Sequence, residues 1–253
     1  MIERDLSDDG ILTLRLAHGK ASAMDVELLE ALGRELDAAA EARAVVLTGT
    51  GSIFSAGVDL FRLTGGGAEY VHRFVPLLAT FVRQLFVLPR PLVVAANGHA
   101  IAGGGVMLAA GDYRLMAEGS GRVGVPELLV GVPFPAAALE AVRFAVPADR
   151  VQALVYTGRT LTPREALAER LVDEVVEPEA LLARAREVAA QLAALPAEAF
   201  RLAKRHLRAA SVAQLDRLAA EHDAEVLALW AAPETHARIR DYLARTVRSG
   251  VRG

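Results

Sequence analysis

The chain has 253 residues, with 28 Lys and Arg against 31 Asp and Glu, and its formal net charge of −3 gives no general attraction to nucleic acid. A 53 % hydrophobic content supplies a large core, and the absence of cysteine excludes disulfides, Cys-ligated zinc and thiol nucleophiles. The opening MIERDLSDDG lacks an apolar signal core and no run approaches the ~18 apolar residues of a membrane span, which predicts a cytoplasmic protein that does not enter membranes.

In chain order, Asp9-Gly10 marks a turn before the apolar Ile11, Leu12, Leu14 and Leu16, predicting an opening hairpin. Residues 25–41 read as an amphipathic helix, with Asp25 as N-cap and Leu28, Leu29, Leu32 and Leu36 on one face. AVVLTG (44–49) and PLVVAANG (91–98) are short apolar runs, as expected of strands covered on both faces. Between them we expect a Gly-rich loop at 65–67 and then a helix ending near Leu88. Beyond Asp112 the strands shorten, and from about residue 135 the chain reads as helical, broken by prolines and by a last strand in LVDEVV (171–176). This divides it into a βα core, 1–190, and a helical C-terminal layer, 191–253.

Three stretches have a composition suited to chemistry. GTGSIFSAGVDL (49–60) follows a buried strand, but Phe54 stands where a dinucleotide fingerprint needs a small residue, and no GK[ST] follows. In NGHAIAGGGVMLAAGDYRL (97–115), Gly103, Gly104 and Gly105 open an apolar helix. They serve either to expose backbone N–H donors to an oxyanion or to pack that helix tightly. In VGVPELLVGVPFP (123–135), Glu127 sits among apolar neighbours that would raise its pKa toward the range of a general base, although an exposed edge carboxylate fits the local pattern equally.

Taken together and in this order, FSAGVDL, NGHAIAGGG…GDYRL and PELLVGV resemble the enoyl-CoA hydratase/isomerase (crotonase) family. The similarity runs from about residue 10 to 190, includes GRTLTPREALAERLVDEVV (158–176), and weakens in the C-terminal helices. The resemblance implies an α/β fold, a spiral of ββα units with C-terminal helices that build a homotrimer or a dimer of trimers. It implies an acyl-CoA thioester as substrate, with coenzyme A as part of that substrate, no separate cofactor and no metal.

By position, the resemblance places an oxyanion hole at the backbone N–H groups of Val58 and Gly103. It places CoA contacts along Ala23, Ala56, Val58, Asp59 and Leu60, and an acid/base at Glu127. Hydratases of the family carry a further glutamate three residues after the oxyanion glycine, where this chain has Val106. Hydration needs two proton-handling groups, whereas a double-bond shift needs one, so the pattern is similar to Δ3,Δ2-enoyl-CoA isomerases, as is the tail EHDAEVLALWAAPETHARIRDYLAR (221–245). The competing readings are a hydratase with a different second group, for which His99 is the candidate, and an inactive acyl-CoA-binding paralogue. Asp59 and Asp112 are expected to be loop or cap residues. Lys204, with Arg201 or Arg205, is either a contact for the CoA 3′-phosphate or part of a solvated helix face.

Overall fold

The computed structural model describes residues 1–250 and contains two sheets wound through one another. Strands β1 (Ile2–Leu6) and β2 (Ile11–Leu16) form the expected antiparallel hairpin, turning at Gly10. From β2 the larger sheet continues in parallel through β3 (Ala44–Gly49), β5 (Leu92–Ala96), β7 (Tyr113–Ala117) and β10 (Glu174–Val176). The smaller sheet takes β4 (Ile53–Ser55), β6 (His99–Ile101), β8 (Val123–Gly124) and β9 (Thr160–Leu161). Past the β1–β2 hairpin, three successive pairs of strands split between the sheets and then feed a helix. The pair β3–β4 leads into α2 (Leu60–Phe86), β5–β6 into α3 (Gly103–Ala109) and β7–β8 into α4 (Glu127–Val130), which is the expected spiral of ββα units.

Burial explains why the central strands read as unbroken apolar runs. Side chains of a strand alternate between faces. In β3, Val45 and Leu47 join the main core, with α1 (Val26–Ala38) and α2, while Ala44 and Val46 face α8 (Leu181–Ala193) through Leu181, Ala185 and Val188. Both faces are covered, so every residue of β3 is buried. The predicted first helix begins where expected, with the Asp25 carboxylate accepting from Leu28 N at 2.8 Å.

The glycines at 65–67 do not form a loop. They lie inside α2, and only Gly67 (φ 62°, ψ −159°) leaves helical geometry, kinking the element without ending it. β9 is an additional short strand that the sequence pattern did not signal. C-terminal to α4 come α5 (Ala136–Ala145), α6 (Ala148–Thr157), α7 (Pro163–Ala168), α8, α9 (Ala197–Ala231) and α10 (Pro233–Gly250). α8 ends at Ala193, and α9 and α10 pack over α2, α4 and α5. Among the described residues, no helix is long and apolar enough to cross a membrane.

Candidate active site

Leaving β4, the chain turns at Gly57 (φ 82°), where an added Cβ would lie 2.7 Å from both Ala102 Cβ and Ile101 O. Only glycine allows this approach, which brings the Ala56–Asp59 segment against the entry to α3. On its other side the segment pairs with Met24: Met24 N donates to Gly57 O (2.7 Å) and Asp59 N to Met24 O (2.9 Å). This pairing uses the groups flanking Val58, and the Val58 N–H itself makes no hydrogen bond among the described residues. Ala102 then takes φ 52°, ψ −122°, a conformation costing a non-glycine residue about 1–3 kcal/mol, and delivers Gly103 as the first residue of α3. The Gly103 N–H is among the donors a helix start leaves without an intrahelical partner.

Close packing holds for the whole glycine run. A Cβ on Gly103 would lie 2.8 Å from Met24 Sδ, one on Gly104 would meet Ser55 O at 2.4 Å and one on Gly105 would meet Gly124 O at 2.6 Å. Of the three, Gly103 is the one that also lines the cavity with Glu127.

Glu127 begins α4 directly after Pro126 and is 8 % exposed. Its Oε2 is buried with no hydrogen-bond partner, and burial raises its carboxyl from 4.5 to about 8. Val58, Gly103, Val106 and Glu127 line one cavity of about 20 Å³, room for roughly one water. The rest of the wall is apolar: Leu78 and Val82 from α2, Phe134, Pro135 and Ala138 at the start of α5, and Trp230 from α9. Glu127 is the one titratable side chain on this lining. The arrangement sets backbone donors and an unpaired carboxylate around a dry space. That suits removal of a proton from a carbon next to a carbonyl whose oxygen gains negative charge.

The other expected positions divide. Ala23 and Ala56 lie on adjacent segments tied by Ala56 N to Ala21 O (2.9 Å) and Ser55 Oγ to Ser22 O (2.8 Å), with Ala23 half-buried and Ala56 exposed. Asp59 is the expected cap: its carboxylate accepts from Arg62 N at 2.9 Å and begins α2. Leu60 packs half-buried on the core, and neither Asp59 nor Leu60 lines the cavity. His99 stands half-buried in β6, not on a turn, and is not on the lining.

Asp112 lies, as expected, in the loop between α3 and β7, but it does more than shape that loop. Its Oδ2 accepts from Lys204 Nζ (2.6 Å) and from Leu92 N (2.8 Å), and Oδ1 from Arg208 Nη2 (2.9 Å), so it ties α9 to the core. Lys204 is 7 % exposed and belongs to this buried cluster, not to a solvated helix face, and burial lowers its amine to about 8. Arg201 pairs with Glu198 on the helix surface, and Arg205 borders a separate cavity of about 470 Å³ along α9 that contains none of the catalytic candidates. Trp230, which completes the cavity around Glu127, carries no sequence signal, because nothing in its neighbourhood along the chain links it to residues about a hundred positions away. Among the described residues, no cluster of three or more His, Cys, Asp or Glu could hold a metal ion.

Comparison with known proteins agrees with this geometry. Residues 8–238 match the model of the family described as enoyl-CoA hydratase/isomerase. A relative described as a putative enoyl-CoA hydratase from Thermus thermophilus is 37 % identical over 189 residues, 74 % of each chain. A structure described as an enoyl-CoA isomerase from Mycobacterium tuberculosis superposes with a TM-score of 0.79 at 30 % identity, covering 87 % of this chain and 98 % of that one. The human mitochondrial Δ3-Δ2-enoyl-CoA isomerase shares the fold, with a TM-score of 0.90 over 98 % of both chains at 24 % identity. With its ββα spiral, its free Val58 and Gly103 donors and its buried Glu127, the chain belongs to the enoyl-CoA hydratase/isomerase family.

Proposed function

We propose that the protein converts 3-enoyl-CoA to 2-enoyl-CoA. The thioester oxygen sits between Val58 N–H and Gly103 N–H, each worth roughly 3–4 kcal/mol to the enolate. Glu127 takes a proton from C2 and delivers one to C4. CoA enters as part of the substrate, lying along Ala23 and Ala56, without further cofactor or metal.

The observation that carries this reading is the cavity lining, where Val106 stands beside Glu127 and no second titratable side chain is present. Hydration needs one group to activate water and another to protonate carbon; isomerisation needs one base. The M. tuberculosis relative is described both as an enoyl-CoA isomerase and as a probable enoyl-CoA hydratase, so the choice rests on the lining. We further propose that the chain works in the cytoplasm as a homotrimer or dimer of trimers built through the C-terminal helices.

The test uses 3-enoyl-CoA deuterated at both C2 positions. Isomerisation by one base yields 2-enoyl-CoA carrying part of the label at C4. A product that is mainly 3-hydroxyacyl-CoA, or no turnover with an otherwise intact CoA-ester complex, overturns the proposal.

A further inference from the structure

The cavity at Glu127 has room for about one water, so even the first carbons of an acyl chain enter only where a wall can yield. Trp230 is the largest group on that wall. It is 2 % exposed and tethered twice. The indole Nε1–H donates to Pro133 O at 2.8 Å, inside the proline-flanked stretch that carries Phe134. Behind it, buried His236 donates from Nε2 to Trp230 O at 3.0 Å and fixes the corner between α9 and α10. Swinging the indole aside would strip an N–H and a carbonyl of their partners in an apolar surrounding, an expensive exchange. The smaller walls, Leu78, Val82 and Ala138, are held by apolar packing alone, with no hydrogen bond to break, so room for the first carbons comes from them and not from the indole.

We propose that Trp230 closes the acyl end of the catalytic cavity and makes the enzyme select short-chain over longer acyl-CoA thioesters. This rests on the assignment of that cavity as the acyl site. It extends that assignment by naming the substrate class and the residue that sets it, which is contributed by the C-terminal layer. A rigid apolar wall discriminates by about tenfold or more for each methylene that it excludes.

Two readouts test the proposal, and the second is independent of the reaction. The first is kcat/KM for 3-enoyl-CoA substrates of four to twelve carbons with wild type, Trp230→Ala and Trp230→Phe. The second is intrinsic fluorescence during titration with saturated acyl-CoA esters of the same lengths, since Trp230 is the chain's single tryptophan. We expect wild-type kcat/KM to fall at least tenfold between six and ten carbons. Trp230→Ala should recover at least that factor on the ten-carbon substrate, and Trp230→Phe a severalfold part of it. Trp230 emission should respond to short esters and bind long ones at least tenfold more weakly. A wild-type profile that stays level to twelve carbons overturns the proposal, as does an unchanged profile in a folded variant. Should Trp230→Ala fail to fold, the Phe variant and wild-type fluorescence decide the matter. Fluorescence that selects short esters without any isomerisation keeps the role of Trp230 and rejects the reaction; isomerisation at every length does the reverse.

Discussion

Val106 and Glu127, from two different helices, line the same cavity, and Glu127 Oε2 is buried without a hydrogen-bond partner. Burial in an apolar lining that includes Val106 raises the carboxyl to about 8, and a valine at that position offers no second proton-handling group.

A base whose carboxyl titrates near 8 works only above that range. In the free enzyme, kcat/KM should climb about tenfold per pH unit below pH ~8 and level above it. Glu127→Gln should lower kcat by about 10²–10⁴-fold while acyl-CoA affinity stays within a few-fold, because a proton-transfer group contributes mainly to the transition state. A variant that keeps most of its kcat would remove Glu127 from the mechanism.

The same burial makes a stability prediction. Between pH ~4.5 and ~8 the folded state holds a proton on Glu127 that the unfolded chain has released, so this group's contribution falls as pH rises through that window and is level above it. Glu127→Gln carries no such charge. Its Tm relative to wild type should therefore rise from pH 5 to pH 8.5, the difference corresponding to a few kcal/mol. Parallel Tm curves for the two proteins over that range would contradict the burial account.

Asp112→Asn should destabilise the protein by about 3–5 kcal/mol in urea unfolding, because Lys204 and Arg208 would remain buried without their counter-charge. Lys204→Met should cost less, since Asp112 keeps Arg208 and Leu92 N. Equal losses for the two variants would show that the cluster does not depend on the carboxylate at its centre.

Val106→Glu should introduce measurable hydration of 2-enoyl-CoA and lower stability by about 2–4 kcal/mol, the cost of a buried polar group without partners. A folded variant with no hydration would mean that water is not activated from this position.

Much of the site was legible because its parts are local. Asp25 announces its helix, AVVLTG its doubly covered strand, and Val58, Gly103 and Glu127 lie in motifs whose spacing survives into one cavity. What could not be read is tertiary. Asp112 meets Lys204 and Arg208 across more than ninety residues, and Trp230 shares a cavity with Glu127 across a similar span, so no periodicity or motif along the chain reports either relationship. Gly65–Gly67 misled for another reason. Glycine weakens a helix without forbidding it, and the buried anchors Leu63 and Val71 on either side hold α2 across the kink.

The most direct test of the central claim is the wild-type ratio of kcat/KM for isomerising 3-enoyl-CoA to kcat/KM for hydrating 2-enoyl-CoA of the same length. One carboxylate beside a valine wall should give a ratio well above one. A ratio below one would mean that another group supplies the second proton, and the isomerase assignment would fall.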